Sequence, residues 1–329
     1  MAWALRYVSP TGAGLHDGTS PADAWTLAEW RTNRGADQLA YAIAGVYPNI
    51  TSEFRMSPVG RERLHGYRST PGDLDGWESS PTHLVPGTDI PKLTVSGNGY
   101  YYFYAGAELT WKNIAVEGSG NYAPTLEYSE HSSLVDCQFT QTNATTGYSI
   151  RFGGNYRIPV YGCLFETTST TLAPVEYNGS PYGYYHGCIF VGGKYAVEPS
   201  YCQEFYDCIL TGQATSCVKS ASRYGGVRAL NCVFYDAPNA CDIDVTVVHE
   251  YQDVFLNNLF HSITGYAVDW NDSGMLSHIH LDNNAYHDVN GGGARHNGIP
   301  HDYELNAFEE TSDPCVDAAN GDFTLLSTA

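Results

Sequence analysis

Val135-Asp136-Cys137-Gln138-Phe139 returns as Tyr161-Gly162-Cys163-Leu164-Phe165 and as His186-Gly187-Cys188-Ile189-Phe190. It returns again as Tyr206-Asp207-Cys208-Ile209-Leu210, Leu230-Asn231-Cys232-Val233-Phe234, Leu256-Asn257-Asn258-Leu259-Phe260 and Asp282-Asn283-Asn284-Ala285-Tyr286. Trp111-Lys112-Asn113-Ile114 reads as an earlier copy. With the central Cys or Asn taken at positions 113, 137, 163, 188, 208, 232, 258 and 284, the spacings are 24, 26, 25, 20, 24, 26 and 26. A near-constant period in this range marks a repeat architecture.

A second ladder runs half a period behind the first. Its copies are Leu126-Glu127-Tyr128, Ile150-Arg151-Phe152, Val175-Glu176-Tyr177, Val197-Glu198-Pro199, Val218-Lys219-Ser220, Ile243-Asp244-Val245 and Val268-Asp269-Trp270. Most alternate as a half-buried strand does, with apolar residues inward and the charge outward. Short strands at a fixed period, separated by Gly, Asn, Ser and Thr and without helical periodicity, point to a β-solenoid. The expected fold class is all-β: a single-stranded right-handed parallel β-helix with an N-terminal capping helix and an irregular C-terminal cap.

The chain has 329 residues, 26 of them Tyr and 34 Gly, with a net charge of −20. Lysine is confined to Lys92, Lys112, Lys194 and Lys219. That balance speaks against nucleic acid, whose phosphates need clustered Lys and Arg, and against an anionic membrane surface. Five of the nine cysteines occupy one ladder position that otherwise holds Asn. They are read as reduced, small buried groups rather than disulfides. No CxxC metal pattern is present.

The expected organisation has three parts. Residues 1–60 form a cap and first rung, with a short amphipathic helix near Thr26–Thr32 to cover the raw apolar end. Residues 61–286 form the β-helix, and residues 287–329 a cap or tail. The opening Met1-Ala2-Trp3-Ala4-Leu5-Arg6 lacks the charged and apolar regions of a leader, so synthesis in a cytoplasm is expected.

Tyr7-Val8-Ser9-Pro10-Thr11-Gly12, Asp17-Gly18-Thr19-Ser20-Pro21 and Gly66-Tyr67-Arg68-Ser69-Thr70-Pro71-Gly72-Asp73 resemble the opening of pectin-lyase-like right-handed parallel β-helix proteins. Asp313-Pro314-Cys315-Val316-Asp317-Ala318-Ala319-Asn320-Gly321-Asp322-Phe323 is similar to the usual end of such chains. The superfamily holds polysaccharide lyases, glycoside hydrolases, epimerases, phage tailspikes and non-catalytic virion proteins, so the resemblance implies architecture before activity. The pectate-lyase motif Arg-x-Pro-x-x-Arg is matched by Arg157 and Pro159, but Gly162 stands where the second Arg belongs. The polygalacturonase motifs are incomplete, and no catalytic residue is carried over.

Candidate chemistry therefore rests on the residues themselves. Stacked outward, Arg151, Glu176, Glu198 and Lys219 place two neighbouring carboxylates about one rung (~5 Å) apart between two cations, close to the spacing of a retaining glycosidase. Asp244 beside Asp269 forms a second acidic pair, able to hold calcium. The same charges also make a solvated ladder of weak pairs. Tyr182 and Tyr184, with Tyr101 and Tyr102 from the aromatic run Tyr100–Tyr104, are candidates for stacking on sugar rings. His278 and His280 would share one strand face, a possible metal pair or plain surface histidines.

Two functions are expected to compete. One is a virion-associated structural β-helix of a phage, a capsid decoration or small appendage, with a surface able to bind glycans. It would be a homotrimer contacting capsid or other virion proteins and displayed on the virion surface. The other is a polysaccharide lyase or glycoside hydrolase acting through Arg151, Glu176, Glu198 and Lys219, cytoplasmic or released by lysis.

Overall fold

The computed structural model describes residues 3–56, 60–74, 84–104, 109–120, 125–127, 132–144, 148–153, 158–178, 182–197, 202–220, 226–243, 252–270, 279–292, 295–299, 304–320 and 322–326. The chain coils through three faces in a fixed order. The first, sheet A, starts with Ala4–Val8 and Gln38–Ile43, ends with Ile279–Asp282 and is eleven parallel strands deep. The second, sheet B, is equally deep and runs from Gly45–Val46 to Ala285–Val289 and Phe308–Glu309. The third comes in two pieces. Sheet C runs from Glu53–Met56 to Val175–Asn178, and sheet D from Ser216–Ser220 to His296–Asn297. The break falls where the repeat contracts to its shortest spacing; among the described residues the bridge Val175–Val197 and a hydrogen bond from the Ala196 N–H to the Cys217 carbonyl at 2.8 Å carry the third face across it.

The corner between sheets A and B explains the repeated phrase. Its first residue is left-handed in every rung from 113 to 283: Asn113 (φ 53°), Asp136, Gly162, Gly187, Asp207, Asn231, Asn257 and Asn283. Only Gly, Asn and Asp appear there, because a side chain in this region of φ/ψ clashes unless it is absent or can bond locally. The next residue turns inward. That column reads Ile114, Cys137, Cys163, Cys188, Cys208, Cys232, Asn258 and Asn284, none more than 2% exposed. Asn113 therefore belongs to the corner column, and Ile114 fills the ladder position assigned to it from sequence.

Each ladder residue answers a local need. Cys137 and Cys163 direct Sγ at the carbonyls of Val135 and Tyr161, both at 3.3 Å. Asn258 accepts from the Cys232 N–H at 2.9 Å and donates to the Ala229 carbonyl at 3.0 Å. Asn284 accepts from the Asn258 N–H at 3.0 Å and donates to Glu304 Oε1 at 2.8 Å, where the ladder ends. All nine cysteines are buried and outside any disulfide, and burial pushes the Cys163 and Cys188 thiols well above their ordinary value.

Inside the coil, equivalent positions stack. Phe139, Phe165, Phe190, Leu210, Phe234, Phe260 and Tyr286 are register partners along sheet B. Ring centroids lie 5.6 Å apart for Phe139–Phe165, 5.2 Å for Phe165–Phe190 and 5.0 Å for Phe234–Phe260. Each buried ring contributes on the order of 2 kcal/mol from burial alone. At the N-terminal end the helix Leu27–Asn33 is started by a capping box of Thr26 and Glu29 and sends Leu27 and Trp30 into the same core.

Candidate functional site

The outward face of sheet A carries an aromatic surface. One outward column reads Tyr7, Tyr41, His65, Lys112, Val135, Tyr161, His186, Tyr206, Leu230, Leu256 and Asp282, each the register partner of the next. Its neighbour contains Pro159, Tyr184, Glu204, Arg228 and Val254. Between the columns Tyr161, Tyr184 and Tyr206 zigzag, with centroids 6.0 and 5.4 Å apart. Tyr206 Oη donates to Glu204 Oε2 at 3.1 Å. Nearby His186 Nε2 lies 3.1 Å from Asp207 Oδ2, each side chain half exposed. Flat rings flanked by a carboxylate, a guanidinium and an imidazole offer apolar contact to a sugar face and hydrogen bonds to its hydroxyls.

The tyrosines singled out from sequence divide. Tyr184 sits in this surface, and Tyr182, 37% exposed, precedes its strand. Tyr102 points outward from sheet C beneath the Arg55 guanidinium, 5.1 Å from its ring centroid. Tyr101 points inward. It is 1% exposed and packs edge-on against Phe54 at 5.4 Å, so it offers nothing to a ligand. Strand alternation forces Tyr101 and Tyr102 to opposite faces. Tyr161 and Tyr206 join Tyr184 in this surface without having been singled out from sequence, although they open two copies of the repeated phrase; their fixed place before the corner is the available signal.

The charged column lies on the third face. Arg151 and Glu176 are register partners, and the Arg151 Nε–H donates directly to Glu176 Oε2. Glu198 lies outside the described residues, as does Asp244. On sheet D, Lys219 is paired in register with Asp242, and Asp242 with Asp269. The column member is thus Asp242, and the sequence alignment was displaced by two residues. Cys241-Asp242-Ile243 and Ile243-Asp244-Val245 have the same apolar–acid–apolar pattern, which a two-residue slip preserves. Lys219 Nζ is 3.5 Å from Asp242 Oδ2. Asp269 accepts from Asn297 Nδ2 at 2.9 Å and from Asn239 Nδ2 at 3.3 Å. Glu176, Asp242 and Asp269 are each engaged by a cation or an amide. Of the histidine pair, His280 is an exposed residue of sheet A and His278 lies outside the described residues.

A third feature follows sheet B. Its outward column Leu164, Ile189, Ile209, Val233, Leu259 and Ala285 is apolar. The C-terminal hairpin, Cys315–Asp317 with Asp322–Leu325, folds back on its far end, seating Cys315 and Ala318 against Leu259. A groove of about 780 Å³ remains between Phe323 and the uncovered Leu164, Ile189 and Ile209, with Glu166 and Asp322 on its rim.

Comparison with known proteins agrees with these coils. A chain of Geobacillus virus E2, ORF18, superposes with a TM-score of 0.50 at 14% identity, covering 85% of this chain and 55% of its own. The fold is a parallel β-helix. This β-helix spans little more than half the length of the virus chain. Pectate lyase Pel9A superposes with a TM-score of 0.45 at 13% identity, over 86% of this chain and 80% of its own. No family model and no curated protein matches the sequence. At these identities the likeness is one of fold.

Proposed function

We propose that this β-helix is a phage virion protein that binds a glycan through the outward face of sheet A without cleaving it. The observation that carries the reading is the Tyr161–Tyr184–Tyr206 zigzag flanked by Glu204 and Arg228. Rings held on neighbouring strands of a rigid parallel sheet are pre-organised, so little side-chain freedom is lost when a sugar stacks on them. The engaged charges of the third face favour binding over cleavage. A general acid or nucleophile needs a carboxylate presented to substrate, and Glu176 is committed to Arg151.

Assembly as a homotrimer on the particle is part of the proposal. The apolar column of sheet B supports it, because Leu164, Ile189 and Ile209 continue the strip that the chain's own hairpin already covers. A second copy of the chain extends that cover without new chemistry. The origin of the similarly folded virus chain fits this placement.

The experiment is a binding screen against acidic and neutral surface polysaccharides, with product analysis on the same samples. Saturable binding without new chain ends, lost in Tyr184→Ala and Tyr206→Ala, is the expected result. Cleavage that disappears in Glu176→Gln or Glu198→Gln would replace this reading with a polysaccharide lyase or hydrolase.

A further inference from the structure

Beyond the apolar strip, the outward side of sheet B changes character. Tyr235, His261 and His287 occupy one column on successive rungs. The next residue in each rung, Asp236, Ser262 and Asp288, is left-handed, so the backbone presents the three side chains in the same way. The two imidazole centroids are 4.7 Å apart, and the Tyr235 ring closes one side at 5.1 Å from His261. The chain then returns from its far end and lays Asp313 across the column, its Oδ1 2.9 Å from His261 Nε2. One nitrogen of each imidazole and one Asp313 oxygen all lie within 4.8 Å of one another.

We propose that His261, His287 and Asp313 form a binding site for a divalent transition metal ion, with Zn²⁺ the best match. Two neutral imidazoles and one carboxylate are a borderline-soft N,N,O donor set that suits zinc and leaves a fourth position for water. Bond lengths of about 2.0–2.1 Å place tetrahedral donors roughly 3.3 Å apart, so the His261–Asp313 pair at 2.9 Å opens slightly and the wider separations, within 4.8 Å, close. A short shift of the Asp313 side chain, which is 48% exposed, supplies much of that.

The supporting contacts set the lone pairs. His287 Nδ1 lies 3.0 Å from the Glu310 carbonyl oxygen, which can only accept, so this nitrogen carries the proton and Nε2 keeps its lone pair. His261 Nδ1 is held at 2.8 Å by Ser262 Oγ, leaving Nε2 toward Asp313. Asp313 is itself steadied by the Cys315 N–H at 2.8 Å. Each ligand thus has the outer hydrogen bond that orients metal ligands. The ion would tie the C-terminal segment to two rungs of the coil, beside the seat of Cys315 and Ala318 on Leu259. This site is independent of the glycan surface on sheet A.

The test uses the full chain without a polyhistidine tag, stripped with EDTA, then titrated with Zn²⁺ by calorimetry and with Co²⁺ by visible absorption. The expected result is one ion per chain, four-coordinate Co²⁺ bands, and protection of the C-terminal segment from protease by Zn²⁺. Asp313→Asn and His287→Gln should each weaken binding more than about tenfold, while His280→Gln on sheet A leaves it unchanged. Asp313 is exposed, so its variant tests the site even if substitutions at buried His261 impair folding. Absence of saturable binding, or binding unchanged in both Asp313→Asn and His287→Gln, would overturn the proposal.

Discussion

Asp253 is fully buried, accepts from the Val227 N–H at 2.7 Å, and is pushed up from an ordinary 3.8 to about 7 by burial. The folded carboxyl keeps its proton to about pH 7, whereas the unfolded one releases it near 3.8. The stabilisation is therefore complete below about pH 4 and is lost as pH rises through 7. Asp253→Asn keeps an acceptor without a charge. At pH 8 it should be more stable than the parent by up to about 4 kcal/mol, and thermal melts from pH 5 to 8.5 should show a flatter profile. A less stable variant at pH 8 would show that the buried carboxylate has a partner that offsets its charge. Gly162 is a second residue-scale test. Its φ is +59°, and a Cβ there would lie 2.3 Å from Asp136 Oδ1. Gly162→Ala should cost at least about 1–2 kcal/mol in urea unfolding.

At the scale of the element, the ladders carry the fold. Phe234→Ala opens a cavity between Leu210 and Phe260 and should cost about 3–5 kcal/mol. Asn258→Ala should cost more than Cys163→Ala, because it strands the Cys232 N–H and the Ala229 carbonyl, both buried. Equal losses would mean that the Asn side chain is only filling space. These ladders were legible in the sequence because every rung repeats one physical problem at one period. The two misalignments have the same origin. Asn suits both the left-handed corner and the inward ladder, so Asn113 drew the alignment away from Ile114. Apolar–acid–apolar alternation is unchanged by a shift of two, so Asp244 was taken for Asp242. The Tyr100–Tyr104 run identified a strand, but its parity, Tyr101 inward and Tyr102 outward, is set by register with Phe54 and Arg55 on another rung. His261, His287 and Asp313 share no sequence spacing; only coil stacking and the returning C-terminal segment bring them together.

For the whole molecule, the faces separate three kinds of surface: an aromatic stretch on sheet A, an apolar strip on sheet B, and paired charges on the two pieces of the third face. A solenoid allows that separation, since residues one rung apart stack in one column along the axis. Light scattering should give three chains per particle in solution. Leu164→Asp with Ile209→Asp should return a folded monomer, and a monomeric parent chain would remove the assembly role assigned to sheet B. The most direct test of the central claim is the binding isotherm of the wild-type chain and of Tyr184→Ala/Tyr206→Ala on a surface polysaccharide found in the screen, with chain ends counted afterwards. The account predicts saturable wild-type binding, a loss of at least about tenfold in the double variant, and no new chain ends. Unchanged binding in the variant, or cleavage by the wild type, would contradict it.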